Sequence, residues 1–96
     1  MTDGERIVRH VSVRGRVQGV GFRAFVEHHA LQRGIEGWVR NRRDGTVEAE
    51  VEGTPDQVDE MLAWMAEGPP GSRVESATVR DVEPAPGRGF GVLPTA

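Results

Sequence analysis

The sequence predicts an α+β fold with the element order β-α-β-β-α-β, and three observations carry that prediction. Val47, Ala49 and Val51 alternate with Glu48, Glu50 and Glu52, the period-two signature of a strand with one buried face and one wet face. Val58, Met61, Leu62 and Met65 recur at i, i+3, i+4 and i+7, the stripe of an amphipathic helix. Between Gly15 and Gly21 three glycines fall within seven positions, joining an alternating segment to a helical one. The whole reads as the split βαβ, or ferredoxin-like, arrangement: an antiparallel sheet with two helices on one face and the other face partly solvated.

Each element follows in order. Ile7, Val11 and Val13 share one side of a first strand running to Arg14. The glycine-rich stretch Gly15 to Gly21 is read as a loop. Phe22, Phe25, Val26, Ala30 and Leu31 are then assigned to the inner face of a first helix, and Gly34 stands where a C-terminal glycine cap belongs. Ile35 to Arg42 reads as a second strand, and Arg43-Asp44-Gly45 is a hairpin signal. The alternating third strand ends at Gly53. Thr54, Pro55 and Gln57 have the pattern of an N-cap, a first-turn proline and a capping-box partner. Gly68-Pro69-Pro70-Gly71 stops the second helix. Arg73 to Val82 is a fourth strand in which Val74 is out of phase with Ala77 and Val79, so a bulge or bend is expected between them. Pro84, Pro86 and Gly87 signal a turn, and Phe90 to Leu93 has the makings of a short fifth strand.

Length and composition narrow the function classes. A chain of 96 residues is expected to form one domain, residues 1–96. Hydrophobic residues at 36% and charged residues at 28% suit a soluble globular protein. No apolar run approaches the roughly 18 residues that cross a bilayer, and the segment MTDGERIVRH lacks the apolar core of a secretory signal. The lack of cysteine excludes a disulfide framework and thiolate metal sites, and a cytoplasmic location is the expectation. A net charge of −3 argues against a nucleic-acid coat. All 12 basic residues are arginine, and six of them cluster as Arg14, Arg16 and Arg23 and as Arg40, Arg42 and Arg43. That distribution reads either as a bias of composition or as a local anion site on an acidic protein.

The chemistry is sought where strand meets helix. The Gly15–Gly21 junction offers main-chain N–H groups and the positive end of a helix dipole, and glycine lets the backbone wrap close to a tetrahedral anion. Arg23 lies in the first turn of the helix, where a cation is mildly unfavourable. A guanidinium aimed back at a bound phosphate accounts for it, since its fork matches two phosphate oxygens. Asn41 stands near the end of the second strand, although asparagine is depleted in strands. It reads either as the first residue of the turn or as a carboxamide that holds a water molecule by accepting and donating hydrogen bonds. His28 and His29 are neighbours and diverge by about 100° on a helix, the wrong spacing for a metal pair. His10 is placed on the polar face of the first strand. Trp38 and Trp64 read as packing residues, Met61 and Met65 as core, and Asp44 as a turn residue.

Val13-Arg14-Gly15-Arg16-Val17-Gln18-Gly19-Val20-Gly21-Phe22-Arg23 resembles the first acylphosphatase signature. Gly37-Trp38-Val39-Arg40-Asn41, followed by Gly45, Val47 and Gly53, resembles the second. The similarity runs from about Ile7 to Val82, and Phe90 to Pro94 fits the family's closing edge strand loosely. The resemblance implies a small metal-independent enzyme that hydrolyses acyl phosphates. It implies that Arg23 binds the phosphoryl group together with the main-chain amides of Gly15, Arg16, Val17, Gln18, Gly19 and Val20, and that Asn41 positions the attacking water. No metal or other cofactor is expected. The expected partner is a small-molecule acyl phosphate, with no nucleic acid and no membrane, and the default oligomeric state is a monomer.

Such a reaction asks little of a protein. The leaving group is a carboxylate whose acid has a pKa of about 4, so no general acid is needed, and positioning plus electrostatic stabilisation supply the rest. Competing functions share the element order. An RNA-recognition module needs aromatic residues on its central strands, where Glu48, Glu50 and Glu52 stand instead. A metal chaperone needs a C-x-x-C loop. A regulatory small-molecule domain does not require Arg23 and Asn41 together. A non-catalytic acyl-phosphate-binding or interaction module of the same fold, as in hydrogenase-maturation factors, stays open.

Overall fold

The computed structural model describes residues 5–84 and 89–96. Among these residues seven elements follow in order: β1 (Ile7–Arg16), α1 (Phe22–Arg33), β2 (Glu36–Asn41), β3 (Val47–Gly53), α2 (Pro55–Glu67), β4 (Arg73–Val82) and β5 (Phe90–Val92). The sheet order is β4-β1-β3-β2-β5. β1 pairs antiparallel with β3 and β4, and β2 pairs antiparallel with β3. The fifth strand forms and lies parallel to β2, which makes the sheet mixed where the sequence suggested an antiparallel one. The expected turn at Pro86 and Gly87 lies outside the described residues.

Both helices cover one face of the sheet. Val11 and Val13 of β1, Val39 of β2, and Val47, Ala49 and Val51 of β3 meet Phe22, Val26 and Ala30 of α1 and Val58, Met61 and Met65 of α2 in one buried cluster. Each buried valine, methionine or phenylalanine of this cluster contributes roughly 1.5–3 kcal/mol of transfer free energy, so this face holds the fold together. Leu31, assigned to the inner face from sequence, is 60% exposed. At about 100° per residue it stands half a turn away from Phe22, so burying one exposes the other.

The helix ends are formed as their residues require. Gln57 N–H donates to Thr54 Oγ1 at 3.3 Å, and Gln57 Oε1 accepts from Thr54 N–H at 2.9 Å, completing the capping box. Gln57 also donates to the carbonyl of Arg33 at 2.9 Å, tying α2 to the end of α1. The seam between the helices is aromatic: His29 stacks on Trp64 with ring centroids 4.0 Å apart and planes at 18°, and the Arg33 guanidinium lies over the same indole at 5.4 Å.

β1 runs two residues further than expected. Its pairing with β4 shifts between Arg14 and Gly15, so that Arg14 faces Ser76, Gly15 faces Val74, and Glu75 is the extra residue. This is the expected bulge, and it lets Gly15 and Arg16 stay in the sheet. Gly15 has φ +134°, and a Cβ there would collide with the Arg73 carbonyl oxygen. The glycine serves close strand approach.

The other face of the sheet differs from the simple wet surface read from the glutamate alternation. Glu48 and Glu52 are each only 8% exposed. Glu48 accepts from His10 Nε2 at 2.6 Å, Arg40 Nε at 2.7 Å and Arg42 Nη1 at 3.3 Å. Arg6 bridges Glu52 and Glu36. Long side chains lying flat over the sheet bury these carboxylates beneath their own partners. Burial acts to raise the Glu48 pKa, but the bonds from Arg40, His10 and Arg42 outweigh it and bring it from 4.5 down to about 2. Trp38 packs here as well, with the Arg40 guanidinium 4.9 Å above its ring and His10 meeting it edge-on.

Candidate functional site

Topology brings the two sequence motifs to one end of the sheet. β3 lies between β1 and β2 and is antiparallel to both. Val47, at the start of β3, is opposite Val13 on one side and Asn41 on the other. The C-terminal ends of β1 and β2 therefore flank the same point. The segment leaving β1 and the hairpin leaving β2 meet there.

The segment between β1 and α1 is Val17 to Gly21. Gly21 is the N-cap of α1 at φ +81°, with no side chain capping the helix and no acid in its first turn. A side chain at that φ would be strained, though nothing within 4 Å would obstruct it. The main-chain N–H groups of Gln18, Gly19 and Val20 are donated to no other backbone group among the described residues. Unclaimed amides and an uncapped helix start are both features suited to an anion.

Gln18 fastens this segment to the hairpin. Its Nε2 donates to the Arg42 carbonyl at 2.7 Å and to the Thr46 carbonyl at 2.9 Å. The hairpin is itself rigid. Thr46 N–H and Oγ1 both donate to Asp44 Oδ1, at 2.9 and 2.7 Å, and the Thr46 hydroxyl and then its N–H hold the Asp44 carboxyl below its ordinary pKa. Asp44 is thus the turn residue expected from sequence. At the other end of the described chain, Ala96 donates to the Asn41 carbonyl at 3.0 Å and accepts from Arg43 N–H at 2.6 Å, so the backbone of Asn41 is held while its carboxamide stays available.

A cavity of about 270 Å³ opens at this point, lined by Val17, Gly19, Gly21, Phe22, Arg23, Ala24, Glu27, Asn41 and Val92. Its volume lies just below the roughly 300–1,000 Å³ of sites for drug-sized ligands, which fits a small substrate. Arg23 and Asn41, from motifs on different elements, line it together. Among the described residues Arg23 forms no ion pair. Of the six residues assigned to the loop from sequence, Val17 and Gly19 line the cavity. Gly15 and Arg16 belong to β1, Gln18 turns its side chain to the hairpin, and Val20 packs against the core.

The sequence motifs leave Phe22 to the core and do not single out Ala24, Glu27 or Val92 as lining residues. Glu27 lies one helical turn after Arg23, and that i+4 spacing was available as a signal. Val92 reaches the cavity because β5 adds to β2, a pairing that no local pattern announces.

Comparison with known proteins agrees with the geometry. The family described as Acylphosphatase matches residues 9–92. An acylphosphatase of Synechococcus sp. is 52% identical over 91 residues, covering 95% of this chain and 97% of the relative. Among solved structures, an acylphosphatase from Coxiella burnetii superposes with a TM-score of 0.88 at 33% identity, covering 92% of this chain and 93% of that one. Full-length HypF, solved in a phosphate- and nucleotide-bound form, gives a TM-score of 0.87 at 30% identity over 95% of this chain and 12% of its own. With both motifs converging on one cavity and the likeness running almost end to end, the chain belongs to the acylphosphatase family, hydrolases that act on acyl phosphates.

Proposed function

We propose that the chain works as one domain in which Arg23 and the main-chain amides after β1 bind the phosphoryl group, and Asn41 positions the water that attacks it. The observation that carries this reading is that Arg23 and Asn41 line the same cavity, beside an uncapped helix start. Arg23 supplies a charge-assisted fork for two phosphoryl oxygens. The amides of Gln18, Gly19 and Val20 donate to the phosphoryl oxygens as well, and their fixed orientation costs no reorganisation as charge builds in the transition state. The Asn41 carboxamide accepts from the water and orients its lone pair toward phosphorus.

Water oxygen then forms a bond to phosphorus while the bond from phosphorus to the acyl oxygen breaks. The bonding pair leaves on the carboxylate, and a water proton passes to a phosphoryl oxygen. An acyl phosphate dianion and water give a carboxylate and dihydrogen phosphate, with charge conserved. The leaving group's low basicity, with an acid pKa of about 4, makes a general acid unnecessary. The cysteine-free composition suits a reducing compartment, and a cytoplasmic monomer acting on a small acyl phosphate completes this reading.

The test is release of phosphate from benzoyl phosphate in the presence of EDTA. The wild type turns over, and Asn41→Ala loses kcat by about 100-fold while inorganic phosphate inhibits both equally. Normal turnover by Asn41→Ala removes the water-positioning role. The HypF match, in which this fold is 12% of a longer chain, supports a second reading as a binding module. A wild type that binds phosphate without turnover selects it.

A further inference from the structure

Arg23, Asn41, the uncapped start of α1 and the amides after β1 account for one part of the cavity. The remainder is lined by Val17, Phe22, Ala24 and Val92, with one carboxylate, Glu27. Resting on the phosphoryl site assigned above, we propose that this remainder receives the acyl group and that Glu27 selects among acyl groups by charge, against those that carry a second anion and in favour of neutral or cationic ones.

A bound phosphoryl group leaves its acyl substituent pointing along the rest of the cavity wall. That wall is apolar. Val17 and Phe22 are buried, whereas Val92 is 42% exposed, an aliphatic rim suited to cover a carbon substituent. The acid on this wall is unexpected on electrostatic grounds. Glu27 lies four residues after Arg23 in α1 and lines the same space, so its charge opposes anion binding. Among the described residues it has no arginine or histidine partner within ion-pair distance. A carboxylate that weakens phosphoryl binding for every substrate alike gives no benefit. One that repels a second anion more strongly than the first gives selectivity. At separations of several ångströms in a half-wet site, one like-charge contact changes affinity by about fivefold to tenfold.

The test uses three acyl phosphates of one shape, made from 4-(aminomethyl)benzoic, benzoic and terephthalic acids, bearing a cation, nothing or an anion at the far end of the ring. Intrinsic reactivity differs among them but cancels when wild type and Glu27→Gln are compared as ratios. The wild type is expected to prefer cationic over neutral over anionic substrates in kcat/KM. Glu27→Gln compresses the span between the ends by at least about fivefold. Raising ionic strength from about 0.05 M to about 0.5 M compresses the wild-type series in the same direction, a readout that needs no variant. A variant that keeps the wild-type span, or a wild type whose series is flat after correction, overturns the selectivity while leaving hydrolysis in place. A wild type that hydrolyses none of the three overturns the phosphoryl-site reading and this inference together.

Discussion

Arg23 and Arg40 carry the same guanidinium in opposite company. Arg40, on the face of the sheet away from the helices, donates to Glu48 at 2.7 Å and lies over Trp38. Glu48 is at the same time bound by His10 and Arg42. Arg23, at the start of α1, has no carboxylate partner among the described residues and faces an open cavity. The difference teaches how to divide a run of arginines. A guanidinium whose charge is met inside the protein steadies the fold, and one left unmet beside unclaimed amides can meet an anion from outside. The adjacent pair Arg40 and Asn41 makes the point within one strand, because successive side chains point to opposite faces. One closes a network, and the other looks into the cavity.

The contrast is broken most directly by truncating each arginine. Arg23→Ala is expected to lower kcat/KM by about 100- to 1,000-fold, the cost of one preorganised donor at a developing charge, with little change in Tm. Arg40→Ala should do the reverse, lowering Tm while activity stays within severalfold. Equal activity losses in the two variants, measured with benzoyl phosphate alongside thermal melts, would erase the distinction.

Acid sharpens it on the structural side. Glu48 has its folded pKa depressed from 4.5 to about 2, so the stability it contributes is fully present above about pH 4.5 and is lost as pH falls toward 2. Glu48→Gln should cost on the order of 2 kcal/mol at neutral pH and flatten the decline in stability across that window. Denaturant melts at several pH values check it. An unchanged slope between pH 4.5 and 2 would show that the network contributes nothing through this carboxylate.

Gln18 bridges the two regions and gives the smallest effect. Gln18→Leu removes two hydrogen bonds to the hairpin, but the Arg42 and Thr46 carbonyls keep their bonds from Gly45 and Arg42 N–H. A stability loss of about 1 kcal/mol is expected. The accompanying loss should appear in kcat more than in KM, because the bond sets the distance between loop and hairpin. A change in KM alone would mean that Gln18 serves phosphoryl binding.

The legible features were local ones. Thr54, Pro55 and Gln57 announced their capping box, and the phase error at Val74 announced the bulge at Glu75, because each is decided by neighbours in the chain. Both motifs named Arg23 and Asn41 before any fold was known. The signals that failed were those needing a third dimension. Leu31 falls outside the buried stripe, because an apolar residue within a helical run carries no mark of where that stripe ends. The burial of Glu48 is invisible in sequence because its alternation with valine says which face it occupies and nothing about what lies over that face.

The amino-acid sequence alone therefore determined the order of elements, the Thr54 and Gly34 helix caps and the identity of two chemically distinctive side chains, since hydrophobic period, caps and glycine act over a few residues. The tertiary structure alone decided that β5 lies parallel to β2 and delivers Val92 to the cavity, that Gly15 serves strand contact, and that Glu27 shares a wall with Arg23. Those outcomes depend on which strands become neighbours, and strand neighbourhood is set by the packing of the whole core.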